Sequence, residues 1–183
     1  MPLELVTVPC LEDNYAFLVH DAEGDSFTVG GDSIEVLDVS GHTVGHIAFH
    51  APGSKLVFTA DSLMALGCGR LFEGTPAQML DSMTKLAALP GDTTVCSGHE
   101  YTTTNAKFAA TVDPENAALI SRTQDIADKR AAGMPTVPSK LQLELDTNPF
   151  LRASDPAIAR TLDMTGATPL DVFTEIRARR DRF

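Results

Sequence analysis

The chain has 183 residues, of which 43% are hydrophobic, and this size supports one good core or a core with a helical appendix. The formal net charge of −11 disfavours nucleic-acid binding, and no apolar run approaches the roughly 20 residues of a membrane span, so we expect neither partner. The N-terminus lacks the segments of a secretory signal and the three cysteines form no Cys-x-x-Cys pair, so we expect a cytoplasmic protein without a disulfide framework.

Short apolar segments separated by turn residues predict strands as far as about residue 100. The predicted strands are Leu3–Pro9, Tyr15–His20, Ser26–Val29, Ile34–Val39, His46–His50, Leu56–Ala60 and Thr93–Ser97. Gly30-Gly31-Asp32 is a typical hairpin signal, and Pro52-Gly53-Ser54 separates another pair of strands. The first half of the chain is therefore predicted to form a sheet.

Helical spacing of apolar residues begins after Gly74. Thr75 is the predicted N-cap of a helix with Pro76 at its first position, and Pro90-Gly91 ends that helix. Further helices are predicted over Thr103–Val112, from Asp113 to Ala132 and from Thr168 onward, and Pro135, Pro138 and Pro149 mark an extended linker. This order predicts a sheet domain over residues 1–103 and a helical domain over residues 104–183.

Three polar residues follow predicted strands, where metal ligands from several strands can meet above a sheet. His42 follows one strand, Asp61 follows a second and His99 follows the last. Imidazole and carboxylate groups suit zinc, iron or manganese. The alternatives are that each histidine is a surface residue and that Asp61 is a helix N-cap. His46 and His50 alternate on one strand, which favours a packing or hydrogen-bonding role.

Seven short stretches, spread over nearly the whole chain, match one protein family in the same order. They are Val8–Tyr15, Gly41–His46, Asp61-Ser62, Gly67–Thr75, Gly98–Thr102, Thr147–Arg152 and Arg177–Asp181. On these residues the chain resembles the glyoxalase II (hydroxyacylglutathione hydrolase) family of the metallo-β-lactamase superfamily. The resemblance implies an α/β (α+β) fold: an αββα sandwich, here internally shortened, followed by a helical substrate-binding domain.

The same resemblance implies a function and a set of site residues. His42 would bind one divalent metal ion, His99 would bind the other, and Asp61 would bridge both and orient a metal-bound hydroxide. The metals would be zinc, iron or manganese, and the reaction would be hydrolysis of S-D-lactoylglutathione to D-lactate and glutathione. The positions that would contact the glutathione thioester are Arg70, Phe72, Tyr101, Arg177 and Arg180.

The chain also departs from the family pattern. Phe72 stands where a tyrosine can occur, Arg180 stands where the family has lysine, and Ala60 replaces the usual glycine before Asp61, a change that we expect to matter little. The largest departure lies near residues 21–24, where a strand–helix–strand unit of about 30 residues or more would be needed to carry the family's Thr-His-x-His-x-Asp-His motif. That motif supplies four metal ligands, and no His-x-His-x-Asp-His occurs in the 183 residues.

Three interpretations therefore remain open. The chain is a glutathione thioester hydrolase with weak metal binding and little turnover, a non-catalytic relative that binds glutathione, or an internally deleted fragment that self-associates through exposed sheet edges. Arg177 and Arg180 lie three apart on the last predicted helix, either as an anchor for glutathione carboxylates or as a solvated basic end favoured by the helix dipole. If they are an anchor, we expect replacing both by alanine to weaken glutathione binding and to leave stability within about 0.5 kcal/mol, as for surface residues.

Overall fold

The computed structural model describes the backbone of residues 8–10, 14–16, 26–29 and 32–183, and the side chains from residue 32 onward. Two predictions, a surface role for His20 and the junction near residues 21–24, lie outside the described residues. The strands are β1 (Val8–Cys10), β2 (Asn14–Ala16), β3 (Ser26–Val29), β4 (Asp32–Asp38), β5 (Ile47–Ala51), β6 (Leu56–Ala60), β7 (Leu63–Met64), β8 (Gly67–Cys68), β9 (Thr94–Ser97) and β10 (Ser139–Lys140).

Six of these strands form one mixed sheet in the order β10-β9-β6-β5-β4-β3. All neighbouring pairs are antiparallel except β6 and β9. A parallel pair needs a long crossover, and the chain supplies it as helix α1 (Pro76–Ala87) between the two strands. The pairs β1–β2 and β7–β8 are separate antiparallel hairpins.

The remaining helices are α2 (Thr102–Val112), α3 (Ala117–Ala131), α4 (Leu141–Thr147), α5 (Pro156–Thr161) and α6 (Pro169–Arg182). Helices α1 and α6 begin where predicted, because Thr75 and Thr168 each form a capping box with the residue three positions later. Helix α3 begins four residues after the predicted Asp113, since the Asn116 side chain accepts from Leu119 N and caps it.

The predicted extended linker is wrong, because α4 lies between Pro138 and Pro149, and α5, which follows it, was not predicted. These helices have only 7 and 6 residues, too few for an apolar repeat to be visible in the sequence. Asp155 caps α5 and Pro156 occupies its first turn, and this local signal was the one that could have predicted the helix.

One hydrophobic core joins the sheet to the C-terminal helices. Its buried members include Val57 of β6, Met83 of α1, Phe108 of α2 and Phe173 of α6. The core therefore includes residues from both sides of the predicted domain boundary between residues 103 and 104. The division into two domains stays a prediction. None of the described helices has both the length and the apolar character that crossing a bilayer requires.

Candidate functional site

A cavity of about 650 Å³ opens where the strand ends meet the C-terminal helices. All eight residues that the sequence proposed as site residues line this cavity, together with Met64, Cys68, Gly69, Thr104 and Asn105. The eight are His42, Asp61, Arg70, Phe72, His99, Tyr101, Arg177 and Arg180. The fold thus brings residues from positions 42 to 180 to one cavity.

His42 is oriented by a backbone carbonyl. Its Nδ1 lies 2.8 Å from the carbonyl oxygen of Arg70, which can only accept, so Nδ1 carries the hydrogen and Nε2 is left for another partner. That Nε2 lies 3.5 Å from Oδ2 of Asp61. The exposed ring of Phe72 lies with its centroid 4.8 Å from that of His42.

Asp61 lies between the two predicted metal-binding histidines. While Oδ2 faces His42, Oδ1 lies 3.1 Å from Nε2 of His99. The preceding residue, Ala60, has φ +44°, in the left-handed region that favours glycine, at an irregularity in the pairing of β6 with β9. The expectation that alanine matters little here is therefore wrong, because the backbone that turns Asp61 into the cavity is strained.

Close packing around Asp61 explains why residue 69, in the family-like stretch Gly67–Thr75, is a glycine. A Cβ at Gly69 would lie 1.9 Å from the carbonyl oxygen of Asp61. The segment can therefore pass this close only without a side chain at residue 69.

The spacing of the His–Asp–His arrangement can be compared with that of metal ligands. Two ligands about 2.0–2.2 Å from one tetrahedral metal are roughly 3.3–3.5 Å apart, and both His–Asp61 distances are close to that range. However, no group of three or more His, Cys, Asp or Glu side chains among the described residues is arranged to hold a metal ion. Zinc sites use three or four protein ligands, so the residues described here do not fit a complete two-metal centre.

Arg177 is a buried residue and not part of a solvated helix end, which corrects one of the two interpretations of the C-terminal arginines. It is 4% exposed, and its Nη1 donates to the carbonyl oxygen of Cys68 at 2.9 Å. Its Nη2 donates to Asp181 at 2.8 Å, and its guanidinium lies over the ring of Phe150. This arginine therefore holds the Cys68-Gly69 segment against α6.

Arg180 has different surroundings. It is half-buried and donates to Oδ1 of Asn105 from Nε at 3.4 Å and from Nη2 at 3.1 Å. Its guanidinium also lies over the ring of Phe108, at 5.9 Å from the centroid. Burial, and then the positive charges of Arg177 and Arg70, lower the pKa of Arg180 from its ordinary value. No carboxylate within salt-bridge distance of Arg180 occurs among residues 32–183.

Two further residues form the mouth of the cavity. Tyr101 stacks on His99, with the ring centroids 4.6 Å apart and the planes 4° apart. The exposed side chain of Arg70 lies beside the same Asp181 that pairs with Arg177, at 4.0 Å. The cavity is therefore lined both by arginines and by the His–Asp–His arrangement.

The other two described histidines have hydrogen-bonding roles, as the sequence suggested. Nδ1 of His46 lies 3.3 Å from the Thr43 hydroxyl, while burial and the neighbouring His42 lower the pKa of His46. His50 pairs with Glu35 on the adjacent strand at 2.9 Å.

Sequence reasoning missed three residues that shape the cavity. Asn105 binds Arg180, Asp181 binds Arg177, and Glu144 is a fully buried carboxylate that accepts from the backbone N–H of Leu66. Asn105 and Asp181 lie in or next to the family-like stretches, but their partners are 75 and 4 positions away. Only the fold shows the pairing of Asn105 with Arg180.

Comparison with known proteins gives a consistent result. Residues 18–99 match the family model of the metallo-beta-lactamase superfamily, and residues 100–183 match that of the hydroxyacylglutathione hydrolase C-terminus. A protein from Ruegeria pomeroyi named hydroxyacylglutathione hydrolase is 51% identical over 255 positions, covering 100% of both proteins. One of the same name from Jannaschia sp. is 46% identical over 252 positions, covering 98% of both. The crystal structure of ETHE1 from Myxococcus xanthus gives a TM-score of 0.49 at 22% identity, covering 93% of this chain and 63% of that one.

The length of one alignment bears on the predicted internal shortening. The alignment with the Ruegeria pomeroyi protein has 255 positions, about 72 more than the 183 residues of this chain. Because it runs from end to end of both proteins, about 72 residues of that relative have no counterpart here, and they are internal. The superfamily model and the identity over the full chain confirm the predicted fold class and family. The chain belongs to the hydroxyacylglutathione hydrolase family of the metallo-β-lactamase superfamily.

Proposed function

We propose that this chain binds the glutathione part of S-D-lactoylglutathione in the cavity and hydrolyses the thioester to D-lactate and glutathione, at a rate far below that of its full-length relatives. Arg180 carries this proposal: it is a half-buried arginine at the cavity without a carboxylate partner among the described residues. Its relatives named hydroxyacylglutathione hydrolase support the substrate class.

The charge around Arg180 suits an anionic ligand. The whole chain is acidic, with a net charge of −11, but Arg70, Arg177 and Arg180 line one cavity together. Arg177 is already bound to Asp181 and to the carbonyl oxygen of Cys68. Arg180, and the exposed Arg70 with only a 4.0 Å approach to Asp181, would therefore pair with the carboxylates of glutathione through charge-assisted hydrogen bonds.

The other side of the cavity would hold the thioester. Stacking on Tyr101 orients His99 toward Asp61. A hydrogen bond to the carbonyl oxygen of Arg70 orients His42 toward the same residue. These residues would position the reacting group, and they supply too few ligands among the described residues to hold tightly the divalent metal ions that the superfamily implies. Removing interactions that act in the transition state lowers rates by orders of magnitude, so we expect little turnover.

A second candidate function is glutathione binding without turnover. The incomplete set of ligands among the described residues favours it, as does the absence of about 72 residues that the Ruegeria pomeroyi relative contains. The two candidate functions share the glutathione subsite and differ only in whether the thioester is hydrolysed.

Binding is tested with glutathione in isothermal titration calorimetry. Arg180→Ala should weaken glutathione binding by at least about tenfold, since a hydrogen bond to a charged group contributes about 1.5–3 kcal/mol. Arg182→Ala is the matched control, because Arg182 lies on the same helix, is 69% exposed at its side chain and does not line the cavity. Equal glutathione affinity of Arg180→Ala and the unmodified chain would refute the subsite.

Turnover and metal content separate the two candidates. Thiol release from S-D-lactoylglutathione and the bound zinc, iron and manganese are measured for this chain and for the Ruegeria pomeroyi relative. Slow hydrolysis above the rate in buffer, with less than two tightly bound metal ions per chain, supports the hydrolase. Glutathione binding with no hydrolysis supports the second candidate, and two tightly bound metals with full turnover contradict both.

A further inference from the structure

Asn105 connects the cavity arginine to the chain beneath it. It lies in the first turn of α2, is 5% exposed and lines the cavity. Its Nδ2 donates to the carbonyl oxygen of Ala65 at 2.9 Å, in the turn between β7 and β8. Because that carbonyl can only accept, the amide nitrogen must face Ala65, and the amide oxygen must face Arg180.

The close approach of Asn105 to the β7–β8 hairpin depends on a glycine. A Cβ at Gly67 would lie 2.6 Å from Nδ2 of Asn105. The side chain is therefore held from behind by the hairpin, and its oxygen has a fixed direction. From that direction it accepts from both Nε and Nη2 of Arg180.

We propose that Asn105 is a positioning residue that orients the Arg180 guanidinium toward the anionic end of the ligand without placing a carboxylate within salt-bridge distance of it. A neutral amide holds the arginine as a carboxylate would, but it does not neutralise the arginine. The face of Phe108 supports the same guanidinium without adding negative charge. For the identity of the ligand this inference rests on the proposed function.

Two substitutions at residue 105 separate orientation from charge. Asn105→Ala removes the oxygen that holds Arg180, whereas Asn105→Asp keeps an acceptor but adds a charge that pairs with the guanidinium. Asn148→Ala is the control, because Nδ2 of Asn148 donates to the same hairpin, at the carbonyl oxygens of Met64 and Gly67, without contacting Arg180. Thermal unfolding shows which variants are folded.

The first measurement does not depend on glutathione. The heteronuclear NOE of the Arg180 Nε–Hε group, measured by NMR, should indicate an ordered group in the unmodified chain and in Asn148→Ala. In Asn105→Ala the same group should become mobile and exchange faster with water. An unchanged Arg180 signal in folded Asn105→Ala overturns the proposal.

The second measurement tests whether Asn105 acts through Arg180. Asn105→Ala should weaken glutathione binding by about three- to tenfold, the effect expected for one hydrogen bond. In the Arg180→Ala background the same substitution should have no effect, and Asn105→Asp should weaken binding more than Asn105→Ala in the unmodified background. An equal loss in both backgrounds overturns the proposal. If even the unmodified chain does not bind glutathione, the proposed function fails, while the NMR result still decides the positioning role.

Discussion

Ala60 shows how one residue can carry strain directly beside a functional side chain. Its φ of +44° lies in the left-handed region, where a Cβ raises the energy by roughly 1–2 kcal/mol. The family resemblance identified the substitution of glycine by alanine, but a sequence contains no φ angle. The conformation follows from the irregular pairing of β6 with β9, which turns the chain toward Asp61.

We predict that Ala60→Gly stabilises the protein by about 0.5–1 kcal/mol, because relief of the left-handed strain exceeds the added backbone entropy of glycine in the unfolded state. Ala110→Gly is the control, since Ala110 is also exposed but lies within α2, where glycine should destabilise by about 1 kcal/mol. Urea denaturation measures both free energies of unfolding. A loss of stability in Ala60→Gly would contradict the strain.

Arg177, in contrast to the strained Ala60, stabilises the fold, although it is a charged residue in a buried position. We predict that Arg177→Ala lowers the free energy of unfolding by about 1–3 kcal/mol, because the carbonyl oxygen of Cys68 loses its buried donor, whereas the exposed Asp181 can turn to water. This revises the sequence expectation of about 0.5 kcal/mol, which assumed a surface residue. Arg182→Ala, on an exposed position of the same helix, should remain within about 0.5 kcal/mol, and an equal effect of both variants contradicts the assignment.

At the scale of elements, the β7–β8 hairpin is held in place by a buried polar network. Glu144 of α4 is fully buried and accepts from Leu66 N, from the Ser139 hydroxyl and from Arg122. Asn148, at the end of α4, donates to the same hairpin. The short helix α4, which the sequence failed to predict, thus supports the hairpin beneath the cavity.

Replacing Glu144 tests that network. We predict that Glu144→Gln lowers the free energy of unfolding by about 3–5 kcal/mol, because it leaves the buried guanidinium of Arg122 without a counter-charge. The control Asp125→Asn removes an exposed ion pair with Lys129 and should cost less than about 1 kcal/mol. Chemical denaturation of the two variants should therefore give clearly different midpoints, and similar midpoints would contradict a supporting role for the network.

At the scale of the whole molecule, one core covers both predicted domains, so buried groups in either part influence global stability. Cys68 and Cys96 are buried thiols. Burial raises the pKa of Cys68 to about 11 and that of Cys96 to about 12, from 9.0. The neutral thiol is the form that the folded state prefers, so its contribution to stability is complete below pH 9 and decreases as the pH rises toward 11–12.

Stability should therefore fall between pH 9 and pH 10.5, by about 1.4 kcal/mol per pH unit for each such thiol. Cys96→Ala should show a shallower fall than the unmodified chain, since its only change in titration is the loss of one buried thiol. Urea denaturation at a series of pH values measures both slopes. Identical slopes would show that the Cys96 thiol does not contribute.

The sequence by itself determined the family, the sheet-then-helix order and the His42, Asp61 and His99 candidates, because motifs and capping signals are local. It also determined that the chain lacks a four-ligand motif. Tertiary structure alone decided that Arg177 is buried and bound to Cys68 and Asp181 while Arg180 is only half-buried, although both lie on one helix and line the cavity. It likewise decided that Asn105 and Glu144 support the site, because burial and charge compensation depend on segments that are far apart in the chain and meet only when the core forms.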